Sequence, residues 1–330
     1  MSALARQLRQ IQQSDRQAGG HLFSASFRSS FLFDEKEAAD YDADTIYEIG
    51  ISGLLGLIQH DLGFRRFETS LFSSKSKDLD RSLLTVQENE LIDRDINTFL
   101  RMLGPHFLIN AAHKALEWLV RKYRINELDV PEVVECILPY HDSIPFVRMV
   151  QILYFKDNDK WSFLFDVKKE AKFVNRSFIA QRCLVDRTIL DSIFENALSS
   201  PQNPMLTSFF TLLTIEYIGK IKKMDFNHVN HLFTMIISCL KLDQCKDLLV
   251  AGMMITMQLV EKANLSEGAF DEILEISAKA ANKTGGTKEF LAFLVRLIEN
   301  GHVTNIPDRA LNHILHLPYT TCRILMLISY

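Results

Sequence analysis

The sequence predicts an all-α protein: an α-solenoid of stacked helical pairs interrupted by one irregular insertion. Three observations lead there. Glycine and proline are scarce, 13 and 8 in 330 residues, which favours long helices over a turn-rich β architecture. Apolar residues recur three and four apart in one segment after another, the spacing of a buried helix face. In the second half of the chain the helix starts repeat at a near-constant interval. A hydrophobic fraction of 47% and a charged fraction of 24% place the chain among folded proteins with a sizeable core, outside the disordered regime.

Residues 1–30 scatter apolar positions among Gln, Ser and Arg; a short helix over Ala3 to Gln13 and a flexible link at Gly19 and Gly20 are expected. Residues 31–155 read as a first helical domain. Ile46, Ile49, Leu54, Leu57 and Ile58 lie at helical spacing, although Gly50, Gly53 and Gly56 weaken that helix. The three glycines, one per turn, allow a second helix to approach closely. A helix from about Asn89 to Leu103 is stopped by Gly104 and Pro105, and Asn110 can cap the next. Asp129 and Pro131 open a short helix that ends at Leu138-Pro139-Tyr140, and Pro145 starts another. Residues 156–176 alternate charge with Trp161, Phe163, Phe165 and Val167, which reads as an irregular loop or a small β-like insertion.

Residues 177–330 are more regular, with helix starts near Pro204, Asp225, Gln244, Leu265, Thr287 and Ile306. Alternate starts differ by 40 to 43 residues, the period of helical pairs of the HEAT and armadillo kind. Such a pair cannot bury its own apolar face and must stack on a neighbour. The chain stops at ILMLISY without the polar outer face that a terminal repeat needs, so this end reads as a cut within a longer array or as an alternative short product.

The stretch LEWLVRKYRI, Leu116 to Ile125, combines a tryptophan with three basic residues. At about 100° per residue, Leu116, Leu119, Val120 and Tyr123 share one face with Ala112. Trp118 falls nearly opposite, beside Ala111, Ala115 and the stem of Lys122, and Lys114, Glu117, Arg121 and Arg124 fall between. A solenoid helix is buried on two sides, so Trp118 is expected in a contact between repeats, with the charged stripe as a solvated edge.

Composition argues against a general nucleic-acid binder. Net charge is -4, with 23 basic and 26 acidic residues up to position 180 and 14 and 15 after it. Five cysteines, Cys136, Cys183, Cys239, Cys245 and Cys322, are widely spaced among apolar neighbours and read as reduced buried thiols. No secretory signal is recognisable, and the longest uncharged apolar run, about Leu248 to Val260, is short for a membrane span.

Nor do catalytic groups converge. KTGGTK, Lys283 to Lys288, lacks the spacing and preceding strand of a phosphate loop. Cys239 and Cys245, near His231, lack a second pair to complete a zinc site. His141 and Asp142 sit in an inter-helix turn where Asp142 or Ser143 would cap the following helix. Neither a cofactor nor a small-molecule substrate is expected. The cluster Met253, Met254 and Met257 fits an adaptable buried core. Seven carboxylates and one lysine between Asp34 and Glu48 could meet a basic partner, though such runs are usually the solvated start of a helix.

Taken together, FLFDEKEAADYDADTIYEIGISGL from Phe31, SLFS from Ser70, LDRS from Leu79, LEWLVRKYRI from Leu116 and LPYHDSIPFVRMVQIL from Leu138 resemble the N-terminal region of the HEAT repeat-containing protein 1 and U3 small nucleolar RNA-associated protein 10 family. The resemblance implies a non-catalytic nucleolar scaffold of the small-subunit processome, acting in pre-rRNA transcription and 18S rRNA maturation. Its partners would be other early processome subunits, among them β-propeller proteins, with contact to the pre-rRNA and U3 particle direct or indirect. Asp34, Glu35, Glu37, Tyr140 and His141 are the candidate docking residues. A second reading has the chain bind pre-rRNA itself through Arg121, Lys122, Arg124, Arg148, Lys168, Lys169, Lys172 and Arg176.

Overall fold

The structure, a computed structural model, describes residues 29–156, 159–242, 245–303 and 306–316. The helix expected over Ala3 to Gln13 and the apolar ILMLISY end lie outside the described residues. Within them the fold is all helical, with no strand, and the chain divides into two compact units that meet in sequence at Phe173 and Val174.

In the first unit, α1 (Glu35–Asp40) and α2 (Ala43–His60) are each opened by an aspartate whose carboxylate accepts backbone N–H groups, Asp34 for α1 and Asp42 for α2. Three 3-10 turns, Leu62–Glu68, Ser74–Asp78 and Arg81–Leu83, lead to α3 (Val86–Leu103), whose start is fixed by a reciprocal box between Thr85 and Glu88. Next comes α4 (Asn110–Trp118). Asn110 is its first helical residue and makes no cap, in contrast to the expectation; Ile109 holds the cap position.

The glycines of α2 decide how α4 packs. A Cβ on Gly53 would stand 2.5 Å from Ala115 N and 2.7 Å from Ala111 O, and one on Gly50 would stand 2.5 Å from Trp118 Cβ. Backbone therefore lies against backbone, and only a missing side chain allows it. The first 3-10 turn adds Phe64 and Phe67, and the link after it Phe72, all buried around Phe99 of α3, with ring centroids 5.0 to 5.5 Å from it.

LEWLVRKYRI is not one helix. After Trp118 the chain loosens into a π-helical turn, Leu119–Tyr123, and Arg124 ends it in the left-handed region at φ 54°. Leu119, Val120 and Tyr123 are all buried in this turn. α5 (Ile125–Leu128), α6 (Val130–Ile137) and α7 (Ile144–Ile152) follow, with α7 capped by Ser143.

The β-like alternative for residues 156–176 is not what forms. Among the described residues of that span, Ser162–Leu164 is a 3-10 turn and α8 (Phe165–Glu170) a short helix packed on α7. Most of the apolar residues point inward: Trp161, Phe163, Leu164 and Val167 are buried, whereas Phe165 is 45% exposed. The alternation with charge was the trace of a one-sided helical turn.

The second unit comprises α9 (Arg176–Val185), α10 (Thr188–Ser199), α11 (Pro204–Lys220), α12 (Phe226–Lys241), α13 (Lys246–Val260), α14 (Glu267–Thr284), α15 (Thr287–Glu299) and α16 (Asp308–Leu315). Helices α9, α11, α13 and α15 pack side by side as one layer, and α12, α14 and α16 belong to the other with α10. Helices two apart open at Pro204 and Lys246, Phe226 and Glu267, Lys246 and Thr287, and Glu267 and Asp308, a repeat of 41 or 42 residues. Polar staples keep that step: Arg176 to Glu216 at 2.6 Å, His231 to Asp191 at 2.6 Å and Lys246 to Glu289 at 2.8 Å join neighbouring repeats.

Candidate functional site

The charged stripe of α4, expected at a solvated edge, is covered. Glu117 has no exposed surface, and its carboxylate accepts from Ser30 Oγ at 2.8 Å, Phe31 N at 2.7 Å and Leu32 N at 3.0 Å. Opposite, Arg148 of α7 donates to the carbonyls of Ser30 at 3.0 Å and Phe31 at 3.1 Å, and to that of Phe33. Phe31 is inserted between them, edge-on to His113 at 5.3 Å. Arg121 continues the strap by donating to Ala38 O. A carboxylate without water survives because three donors and the nearby guanidinium of Arg121, 3.7 Å away, replace its hydration.

Trp118 is enclosed as expected, 2% exposed, with Tyr47 edge-on at 5.2 Å and its indole N–H donating to Leu71 O at 3.0 Å. It packs on α2 at Gly50, and its rings are not available for base stacking.

The structure does bring Arg121, Lys122 and Arg124 together, on the wall of a cleft of about 460 Å³. Arg81 joins them, but Asp42, Asp78 and Asp80 line the same cleft and answer the charge. Lys122 donates to Lys77 O, and burial pushes its ammonium below the usual lysine range. Arg124 pairs with Glu127. The remaining basic candidates do not converge. Lys168 donates to Leu153 O at 2.8 Å, Lys169 lies 4.7 Å over the Phe165 ring, Lys172 pairs with Glu170 at 2.8 Å, and Arg176 belongs to the second unit. A phosphate grip needs cations facing water together, and these are engaged within the protein.

Among the docking candidates, Asp34 is an exposed cap and Glu35 and Glu37 lie in the first turn of α1. Tyr140 is buried, 5% exposed, and its hydroxyl donates to Gly104 O at 2.6 Å, so its role is packing between turns, which corrects its assignment as a docking residue. His141 is half-buried and Asp142 exposed, and the Ser143 hydroxyl caps α7. The described residues contain no group of three or more His, Cys, Asp or Glu arranged to hold a metal, and no helix long and apolar enough to cross a membrane. Cys136, Cys183 and Cys239 are buried thiols pushed up to about 12 by burial.

Sequence reasoning did not single out Glu117 as a buried anchor, or Arg81. Arg81 is buried and donates to Asp129 at 2.9 Å, to Tyr123 O and Asn89 at 3.1 Å, and to Asp93. It lies in LDRS, one of the stretches that carried the resemblance, and that was its available signal.

A chain built of stacked helices, with pairs in its second unit repeating every 41 or 42 residues, is a helical-repeat protein of the HEAT type. No protein-family model matches the chain. It is 31% identical over 299 residues to the HEAT repeat-containing protein 1 homolog of Dictyostelium discoideum, which covers 88% of this chain and 13% of that protein. It is 29% identical over 331 residues to human HEAT repeat-containing protein 1, 96% of this chain and 15% of that protein. U3 small nucleolar RNA-associated protein 10 of Aspergillus fumigatus is 28% identical over 334 residues, 96% of this chain and 18% of its own length. HEAT repeat-containing protein 1 and U3 small nucleolar RNA-associated protein 10 are thus homologues of this chain over most of its length, as the sequence resemblance led us to expect. The chain itself spans about one seventh of the length of the curated relatives it matches.

Proposed function

We propose that the chain is a non-catalytic docking scaffold serving ribosome biogenesis in the nucleolus, in the assembly that matures the small-subunit rRNA. The names of its homologues support the ribosome-assembly setting. The observation that carries the scaffold reading is the use of the basic side chains. Arg121, Lys122, Arg148 and Lys168 all donate to backbone carbonyls of this same chain, so the residues best suited to hold RNA hold the fold.

Within that proposal, partners are other early processome subunits, β-propeller proteins among them, and RNA is reached through them. A role in pre-rRNA transcription follows from the same setting. The test is affinity capture from nucleolar extract with the full 330-residue chain as bait, with and without ribonuclease. Recovery of other small-subunit assembly factors that persists after ribonuclease is expected. Their absence, or their loss on digestion, would overturn the reading.

A further inference from the structure

Helices α11 and α13 differ on the outside from the other helices of the second unit. After Phe226, which opens α12 and is 81% exposed, the exposed positions of α12 and α14 are polar, among them Asn227, Asn230, Thr234, Asp271, Glu272 and Lys279, and α15 exposes Lys288, Arg296 and Glu299. Between their ends, α11 and α13 are apolar outside apart from Ser208. Met205 is 45% exposed, Leu212 38% and Met254 43%, and Ile215, Val250 and Met257 are half-buried beside them. No charged residue occurs from Pro204 to Ile215, or from Leu248 to Val260. A helix apolar on every side is one that something covers. Met254 and Met257, expected in the core, are therefore surface residues in whole or part, and only Met253 is fully inside.

The exposed positions form one surface. Lys262 Nζ donates to Gly219 O at 3.2 Å and Cys245 Sγ lies 3.3 Å from Pro201 O, so α11 and α13 run side by side with an offset of one repeat. That offset brings Leu212 level with the turn that carries Met254. Charge then selects the occupant. Where α11 and α13 end, Lys220, Lys222 and Lys223 outnumber two carboxylates, Glu261 and Asp225, the second of which also caps α12, and Lys262 adds its charge while it donates to Gly219 O. At the opposite end Lys246 pairs with Glu289 and Asp247 is exposed beside them, so the basic end is the one with the lysines.

We propose that the outer face of α11 and α13 is a docking groove for an acidic amphipathic helix of a partner protein. The helix lays its apolar stripe along Met205, Leu212 and Met254 and directs its carboxylates to the lysines at the helix ends. Ridges of a third helix fit the groove between two adjacent ones, and methionine adapts to more than one filling. The proposal rests on the docking reading above and localises it.

Two synthetic probes test it by fluorescence anisotropy with the full chain: peptides of about five helical turns with leucine at heptad-like spacing and either glutamate or lysine elsewhere. The leucine–glutamate peptide is expected to bind saturably, and at least about tenfold more tightly than the leucine–lysine peptide. Leu212→Glu and Met254→Glu, each checked for an unchanged circular dichroism spectrum, should each weaken binding by about tenfold or more, as should Lys222→Glu with Lys223→Glu. Thr234→Glu on the polar layer should leave it unchanged. Failure of the leucine–glutamate peptide to bind, equal binding of both peptides, or indifference to both Leu212→Glu and Met254→Glu would overturn the groove. Such a failure leaves capture of assembly factors from extract unaffected, so the two readings fail separately.

Discussion

Trp118 and Asp129 show how much single side chains of the first unit depend on enclosure. Trp118 fills the space left by Gly50, and its N–H has one partner, Leu71 O. Trp118→Ala removes that volume and is expected to destabilise the protein by roughly 3 to 5 kcal/mol, read from denaturant unfolding. A loss under about 1 kcal/mol would place the ring at the surface.

Asp129 gives a pH signature. Burial pushes its carboxyl up to about 7; Arg81 pulls the other way but is shared with Asp93. With the folded value above the unfolded one, near 3.9, the folded chain holds the proton across that window. Its contribution to stability is therefore full below about pH 4 and lost as pH rises through about 7. Melting temperatures taken across this range should show a component that falls with rising pH and disappears in Asp129→Asn. An unchanged profile in that variant would remove Asp129 as its source.

At the scale of elements, legibility followed periodicity. The starts of α11 to α16 could be read from the sequence to within a few residues because each apolar face must meet a neighbour one repeat away. That a helix can approach α2 closely was also legible, since Gly50, Gly53 and Gly56 leave one bare stripe; that the partner is α4 was not. The break after Trp118 was not. A π-helical turn keeps the same residues buried as a straight helix would, so Leu119, Val120 and Tyr123 gave no sign of it. The stretch around α8 was misread because a short one-sided helix, with Trp161 and Phe163 leading in, imitates a period of two. The site was less legible than the fold. Charge pattern alone assigns Glu117, Arg121 and Arg148 to water, and only the distant strand of chain at Ser30 to Phe33 reveals what they hold.

For the whole molecule, a net charge of -4 and basic groups engaged internally predict weak, non-specific RNA affinity. Filter binding to pre-rRNA leader sequence should show little retention and a shallow dependence on salt, because few counterions are released. A steep slope would restore the direct-contact reading. The strap sets an order of events as well. Ser30 and Phe31 make their bonds to Glu117 and Arg148, 86 to 118 residues further along the chain. During synthesis Ser30 and Phe31 thus leave the ribosome before Glu117, and well before Arg148, and the strap can close fully only once α7 has emerged. A stretch made early is fastened late, from a helix more than a hundred residues downstream.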